Sequence, residues 1–370
     1  MRSLSLLLLL ASACTPDEGP QPPLGPACAG AKLFASPADP EQAGQWPVGA
    51  RTITIAGLTA EVWYPARRGS EVGKPTVTYD LREHLPPSEM GKISDANNPL
   101  QSCNCYRDLP LDDRRGPYPA VIFIHGTASF RTQSLPQVTH WASRGFVVVA
   151  ADHPGINLTS VLDGSITGGQ EAIDADNMLI ELRVQSGMLS FLAGHLDNQR
   201  LAVTGHSAGG IAVKYLGDED GVQVIMPLAG GGVQPGKSVR STLVMGAHDD
   251  MIVPYTNQQD GYASSAARKR LVGLNNAGHL AFSELCTIGA DHGGILKIAQ
   301  DAGVAVPALV IKLASDGCAA TQLPPARGWA VINHATTAAL EETLLCNPAM
   351  TAQLSSLSGH ADVAEYAESL

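Results

Sequence analysis

The sequence is poor in charged side chains and lacks a strongly basic segment. Charged residues make up 16% of the 370 residues, and 24 Lys and Arg face 35 Asp and Glu, for a formal net charge of −11. A chain of this charge repels polyanions, which argues against nucleic acid or an anionic membrane surface as a direct ligand. The small cluster ARKR (267–270) is typical of a solvated helix end rather than a binding patch.

Long apolar runs are also missing. The N-terminal stretch Leu4–Ala11 is too short to span a bilayer as a mature anchor. With Arg2 before it and small residues after it, the stretch predicts a signal peptide over residues 1–13. Two forms of cleavage stay open. Ordinary signal peptidase would release a periplasmic or secreted protein. A lipobox, from which Ala11 departs because leucine is most common there, would leave Cys14 as a lipid attachment site and membrane anchor in a bacterial envelope. We expect the lipoprotein form.

Cysteine is scarce, but the number of cysteines is compatible with disulfide bonds. Setting Cys14 aside as a lipid site leaves six cysteines, an even number that suits disulfides in an oxidising compartment. The spacing CNC (103–105) is too tight for the usual zinc hairpin, so disulfides are favoured over a metal site. The sequence does not determine how the six pair: Cys28, Cys103, Cys105, Cys286, Cys318 and Cys346.

Composition along the chain predicts one folded domain with polar flanks. Residues 14–45 are rich in proline and predict a tether, and the domain is expected over 46–350. Within it, residues 69–110 are polar and weakly periodic, which predicts a surface excursion held down through one of its two cysteines. Residues 351–370 are expected to form a C-terminal tail.

From residue 119 onward, short apolar runs alternate with helical patterns. The runs are typical of strands buried on both faces, which predicts an α/β fold with a mostly parallel central sheet and helices on both faces. Functional residues are then expected at the carboxyl ends of the strands. The predicted strands are 120–126, 146–155, 201–205, 222–230, 241–247 and, more weakly, 270–278; helices are predicted at 134–145 and 172–195.

Polar residues follow three of these strands in an informative order. Ser207, in TGHSAGG (204–210), comes first, an aspartate pair follows, and His279 comes last. Acyl transfer needs a nucleophile, a base that takes its proton, and an acid that orients the base, and this chain order suits that arrangement. The flanking Gly205 and Gly209 would let the chain make the sharp turn that exposes such a serine.

The acid and the base each have competitors. Asp249 and Asp250 both follow the strand 241–247, and position alone does not choose between them. The stretch DMIVP is similar to the acid loop of many esterases, and that register selects Asp250. His279 lies 29 residues after Asp250 and is the expected base, with His292 and His334 as alternatives.

The oxyanion donors are expected at two turns. IHGTASF (124–130) follows the first central strand, where Gly126 lets the chain turn so that the N–H of Thr127 faces the site. The N–H of Ala208 would supply the second donor. His125 is expected to act as a structural support.

Five segments together resemble a known family: GPYPAVIFIHGTASFRTQ, WASRGFVVVAADHPG, LAVTGHSAGG, GAHDDMIVP and NAGHLAFSELC. They are similar to bacterial α/β-hydrolases related to platelet-activating-factor acetylhydrolases and cutinase-like polyester hydrolases, often labelled dienelactone-hydrolase-like. The resemblance covers about residues 46–346. It implies an α/β-hydrolase fold, the triad Ser207, Asp250 and His279, and no metal or organic cofactor. Dienelactone hydrolases proper use a cysteine nucleophile, so Ser207 argues against dienelactone as the substrate.

The sequence therefore predicts an exported serine carboxylic-ester hydrolase that works through an acyl-enzyme. Its expected substrate is a small-molecule or lipid ester of undetermined chain length. The loop carrying the base is expected to be tied down by a disulfide from Cys286 to Cys318 or Cys346. A lipase, polyesterase or amidase on the same fold is the alternative, as is a non-catalytic lipoprotein that binds a surface.

Overall fold

The computed structural model describes residues 28–266 and 268–370. A ten-stranded sheet forms its centre, and a two-stranded sheet lies beside it. The strands are β1 (Val48–Ile55), β2 (Leu58–Pro65), β3 (Val77–Tyr79), β4 (Gln101–Cys103), β5 (Tyr106–Arg107), β6 (Tyr118–Ile124), β7 (Val147–Ala151), β8 (Leu196–His206), β9 (Val222–Leu228), β10 (Ser241–Ala247), β11 (Lys269–Leu274) and β12 (Val363–Ser369). The helices are α1 (Pro87–Met90), α2 (Leu135–Ser143), α3 (Leu158–Asp163), α4 (Glu171–Val184), α5 (Ala208–Val213), α6 (Tyr255–Ser264), α7 (Ile295–Asp301), α8 (Ala308–Ser315), α9 (Pro325–Leu344) and α10 (Ala349–Ser356).

The large sheet is mostly parallel. Its order is β12-β11-β10-β9-β8-β6-β7-β2-β1-β5. The six strands from β11 to β7 run parallel to their neighbours, and antiparallel pairings occur only towards the two edges. Every residue of β6, β7 and β10 is buried, so helices cover both faces of the sheet. The predicted α/β architecture is confirmed.

The expected tether packs against the domain over the part that the structure describes. Cys28 is joined to Cys346 by a disulfide. The buried guanidinium of Arg144 donates to the carbonyl oxygens of Pro37 and Gln42 at 3.0 and 2.6 Å, and it also pairs with the fully buried Glu341 at 2.6 Å. Residues 28–45 therefore form part of the domain surface.

The expected C-terminal tail is instead regular structure. Residues 351–356 complete α10, and β12 pairs antiparallel with β11 at the edge of the large sheet. Leu354 and Leu357 are buried, so this segment contributes to the core.

The predicted helix over 172–195 ends early. Gln185 adopts a left-handed conformation with φ of 53°, which closes α4 at Val184. A 3-10 helix follows over Gly187–Leu192. Within the described ranges, no helix combines the length and apolarity needed to cross a bilayer.

Two distant segments form what we call the cap, defined as residues 81–99 and 285–314. The first leaves and re-enters the domain through the paired strands β3 and β4. The two segments are joined by hydrogen bonds from Lys92 Nζ to the Gly303 carbonyl at 3.0 Å and from the Ala305 N–H to Glu89 Oε2 at 2.9 Å. A buried cluster lies between them: Leu85, Ile93, Ile298 and Val304.

The disulfides correct one expectation about this excursion. Cys103 and Cys105 pair with each other, so neither ties residues 69–110 to the rest of the domain. Pairing between β5 and β1, together with the cap contacts, does so instead. The third bridge joins Cys286 to Cys318.

Candidate active site

Ser207 lies at the turn between β8 and α5. Its φ of 56° and ψ of −118° place it in a strained region of the backbone. The glycines around it are required by space: a Cβ on Gly209 would lie 2.2 Å from the Ile124 carbonyl oxygen, and one on Gly205 would lie 2.5 Å from the Gly209 carbonyl carbon. The small residues of the motif therefore let the strand, the turn and the following helix approach closely.

The structure brings Asp250 together with His279. Asp250 Oδ2 lies 2.8 Å from His279 Nδ1, and both side chains are at most 2% exposed. The other carboxylate oxygen, Oδ1, accepts the N–H groups of Ile252 and Val253 at 2.8 and 2.7 Å. Asp249 is exposed. The two candidate acids thus differ in their surroundings, and only Asp250 has the contact that a triad needs.

The competing histidines are engaged elsewhere. His292 is 65% exposed and faces Asp291. In His334, Nε2 contacts the Gln353 carbonyl oxygen at 2.9 Å and Nδ1 lies 3.3 Å from Glu41. Neither ring lines the cavity beside Ser207.

Asp316 holds the loops of Asp250 and His279 together. Its Oδ2 accepts the N–H of Met251 at 2.8 Å and that of His279 at 3.2 Å. A Cβ on Gly278 would lie 2.6 Å from Asp316 Oδ1, so glycine is needed there. The bridge from Cys286 to Cys318 anchors the segment that carries Asp316. No spacing pattern singles this residue out in the sequence.

Gln133 performs a similar task on the opposite side of Ser207. Its Oε1 accepts the N–H of Gly126 at 2.8 Å, which orients the amide so that Nε2 donates to His206 Nδ1 at 2.9 Å. His206 Nε2 then lies 3.0 Å from the His279 carbonyl oxygen and donates to it. One buried chain of hydrogen bonds therefore joins the turn after β6, the turn that carries Ser207 and the loop of His279.

Two expected donors have no acceptor. Among the described residues, neither the N–H of Thr127 nor that of Ala208 has a hydrogen-bond partner, and both residues are partly exposed. The adjacent Gly126 N–H is occupied by Gln133. His125, expected as a support, is fully buried: Nδ1 donates to the Gly126 carbonyl oxygen at 2.8 Å, and Nε2 accepts the His153 N–H at 3.0 Å.

Burial keeps the histidines around the turns neutral. It lowers the pKa of His125 to about 3, and it lowers the pKa of His206, which also faces His279, well below its ordinary value. Neutral rings can both donate and accept a hydrogen bond, which the contacts of His125 and His206 require.

A cavity of about 120 Å³ opens beside Ser207. Ser207, His279, Thr127 and Phe130 belong to its lining, and more than half of the lining residues belong to the cap. Most of the cap side chains there are aliphatic. The cavity therefore brings the polar reactive residues together with an apolar wall.

One group of side chains in the described part of the chain has ligand atoms close enough for a metal. Asp39, Glu41 and His334 place theirs within 4.8 Å of one another. They lie outside the lining of the cavity, and both ring nitrogens of His334 already face protein oxygens. Cys14, the expected lipid site, lies outside the described residues.

Comparison with known proteins is consistent with this architecture. Residues 110–292, just under half of the chain, match the family described as PET hydrolase-like. The fold is that of the α/β-hydrolases. The matched range contains Ser207, Asp250 and His279, but it includes only the first few residues of the second cap segment and none of the first.

A curated relative also matches. The bis(hydroxyethyl) terephthalate hydrolase of Streptomyces coelicolor is 27% identical over 178 residues, which are 46% of this chain and 54% of that protein. The chain thus spans about half the length of this relative. Both comparisons indicate the class of enzyme that the sequence predicts, an ester hydrolase.

Proposed function

We propose that the protein is a serine hydrolase of carboxylic esters, with Ser207 as nucleophile, His279 as base and Asp250 as acid. The observation that carries this proposal is the buried 2.8 Å contact between Asp250 and His279, since His279 lines the same cavity as Ser207. The matched hydrolase family supports the same class of reaction.

The chemistry follows from the two ring nitrogens of His279. Because Asp250 accepts a hydrogen bond from Nδ1–H, the tautomer is fixed with Nε2 unprotonated and able to take the proton of Ser207. The serine oxygen attacks the ester carbonyl, and the imidazolium that forms is stabilised by the Asp250 carboxylate. Its proton then passes to the leaving alcohol, and water hydrolyses the acyl-enzyme with His279 as base again.

The developing oxyanion needs donors that are free before the reaction. The unpartnered N–H groups of Thr127 and Ala208 meet this requirement. Removing one such donor typically costs about 3 kcal/mol of transition-state stabilisation. We therefore assign both to the oxyanion hole. Gln133 has a positioning role, because it holds the neighbouring Gly126 in place.

The test is the Ser207→Ala variant. We expect it to fold and to lose turnover of p-nitrophenyl acetate, and we expect a fluorophosphonate probe to label the natural protein but not the variant. Ser129→Ala, a change of the same kind in the same cavity wall, controls for nonspecific labelling. Undiminished turnover by Ser207→Ala would contradict the mechanism, and absence of labelling in the natural protein would favour a non-catalytic binding role.

We further propose that the protein is exported and that Cys14 is its lipid attachment site. Three disulfides among the described cysteines support an oxidising compartment. Partition of the natural protein into a detergent phase, with Cys14→Ala left in the aqueous phase, would support the anchor. Equal partition of both would contradict it.

A further inference from the structure

More than half of the residues that line the cavity beside Ser207 belong to the cap. Its cap lining includes Leu85, Ile93, Ile298, Val304, Val310 and Leu313. These branched aliphatic side chains form an apolar surface against which a flexible chain can pack. Among the described residues, Phe130 is the only Phe, Tyr or Trp that lines the cavity, and one face of its ring is covered by His84, stacked at 4.4 Å and 9°.

The cap adds two polar side chains to the lining, Arg82 and Asn98, and most of their polar atoms already have partners. Arg82 donates to both carboxylate oxygens of Asp80, to Asp95 and to the Ile93 carbonyl oxygen. Asn98 Nδ2 donates to Asp80 at 2.8 Å, and its buried Oδ1 has no partner within the described part of the chain and can only accept a hydrogen bond. A second ester group placed against these cap side chains has no N–H or O–H to donate to Oδ1, so it would lose its hydrogen bonds to water and find few donors in exchange, which is costly.

From these features we propose that the cavity binds a flexible aliphatic chain, and that the preferred substrates are esters carrying such a chain rather than diesters of an aromatic acid. A terephthalate diester, the kind of compound named for the curated relative, has a rigid ring with an ester at each end. With one ester at Ser207, the other would enter the apolar part of the cavity. This inference rests on the proposed esterase function.

A preference for aliphatic esters is compatible with the match to the PET hydrolase-like family. The family match covers 110–292, whereas residues 81–99 and 293–314 of the cap lie outside it. The match therefore covers the reactive residues and leaves out most of the apolar wall. A chain on either side of the ester bond, acyl or alcohol, could occupy the cavity, so the test includes both.

The first measurement is kcat/KM over two substrate series. One is p-nitrophenyl acetate, butyrate, hexanoate and octanoate, and the other is ethyl, butyl, hexyl and octyl acetate. We expect kcat/KM to rise by about fourfold for each methylene buried, in one series or both. Bis(hydroxyethyl) terephthalate should be hydrolysed less efficiently than the best aliphatic ester.

Helix α8 supplies a matched pair of variants. Leu313 lines the cavity, whereas Ile311, two residues earlier, is 39% exposed and does not. Leu313→Gln should lower the ratio of kcat/KM for hexanoate to that for acetate about fifteenfold, if that side chain accounts for the burial of roughly two methylenes. Ile311→Gln should leave the ratio unchanged. Circular dichroism checks the fold of both, and if Leu313→Gln fails to fold, Val310→Thr replaces it.

Two kinds of failure are distinguishable. If the natural protein hydrolyses acetate esters through Ser207 but shows no chain-length preference in either series, the cavity inference is wrong and the proposed function stands. The cavity inference is also wrong if kcat/KM is higher for bis(hydroxyethyl) terephthalate than for the best aliphatic ester. It is equally wrong if Leu313→Gln and Ile311→Gln give the same ratio of kcat/KM for hexanoate to that for acetate. If no substrate is turned over and no probe labels Ser207, the proposed function itself fails.

Discussion

Asp249 and Asp250 are adjacent in sequence but differ in what their carboxylates contact. We predict that Asp250→Asn nearly abolishes ester hydrolysis, whereas Asp249→Asn leaves it within about threefold of the natural protein. The two changes are chemically identical and one residue apart. Their effects therefore report only on the contact with His279, which Asp250 makes at 2.8 Å while Asp249 is exposed.

The magnitude follows from the hydrogen bonds around Asp250. Two N–H groups, of Ile252 and Val253, point at Oδ1, so an asparagine must place its amide oxygen there. Its NH₂ group then faces His279 and donates to Nδ1. The ring is forced into the tautomer that carries its proton on Nε2, and it can no longer accept the proton of Ser207. In serine proteases the same change lowers kcat by about 10⁴, or about 5 kcal/mol, and we expect a loss of that order here.

The assay is kcat for p-nitrophenyl acetate, with circular dichroism to show that both variants fold. An additional readout is the rate of fluorophosphonate labelling at Ser207, which should fall in parallel with kcat because both depend on proton removal by His279. The reasoning is refuted if Asp249→Asn loses activity a thousandfold while Asp250→Asn retains it. It is also refuted if Asp250→Asn folds and stays within tenfold of the natural protein.

Two further predictions concern stability. Burial raises the pKa of Glu284 from its ordinary 4.5 to about 7, so this group contributes stability that is present below pH 4.5 and lost as pH rises through 7. Glu284→Gln should therefore raise the free energy of unfolding in urea by about 3 kcal/mol at pH 8 and leave it unchanged at pH 4.5; parallel pH profiles of the two proteins would count against this. Glu341→Gln should cost about 3–5 kcal/mol in urea unfolding because it leaves the buried Arg144 guanidinium without its counterion, whereas a cost below 1 kcal/mol would show that the carbonyl contacts of Arg144 suffice.

The parallel strands could be predicted because their signal is local. A strand buried on both faces is a short apolar run, and the predicted strand 241–247 has the same first and last residues as β10. Chain order then placed Ser207, Asp250 and His279 at one edge of the sheet, since the carboxyl ends of parallel strands meet there. The structure gathers these three residues as that rule requires, although their roles stay a prediction.

Residues that act through backbone groups leave no such signal. Asp316 contributes by accepting the N–H groups of Met251 and His279, and it lies 37 residues after His279, directly after the end of α8. Gln133 likewise acts by holding Gly126 and His206. Any residue with a suitable acceptor could satisfy these contacts, so residue type alone does not identify the one that does.

The cap was the least predictable part for a related reason. Leu85 and Ile93 sit in a polar stretch with no helical or strand period, and they become buried only against Ile298 and Val304, more than 200 residues later in the chain. The family match covers Ser207, Asp250 and His279 but leaves out most of the cap, so sequence similarity bears on the reaction, whereas the inference about the substrate rests on contacts that only the folded chain brings together.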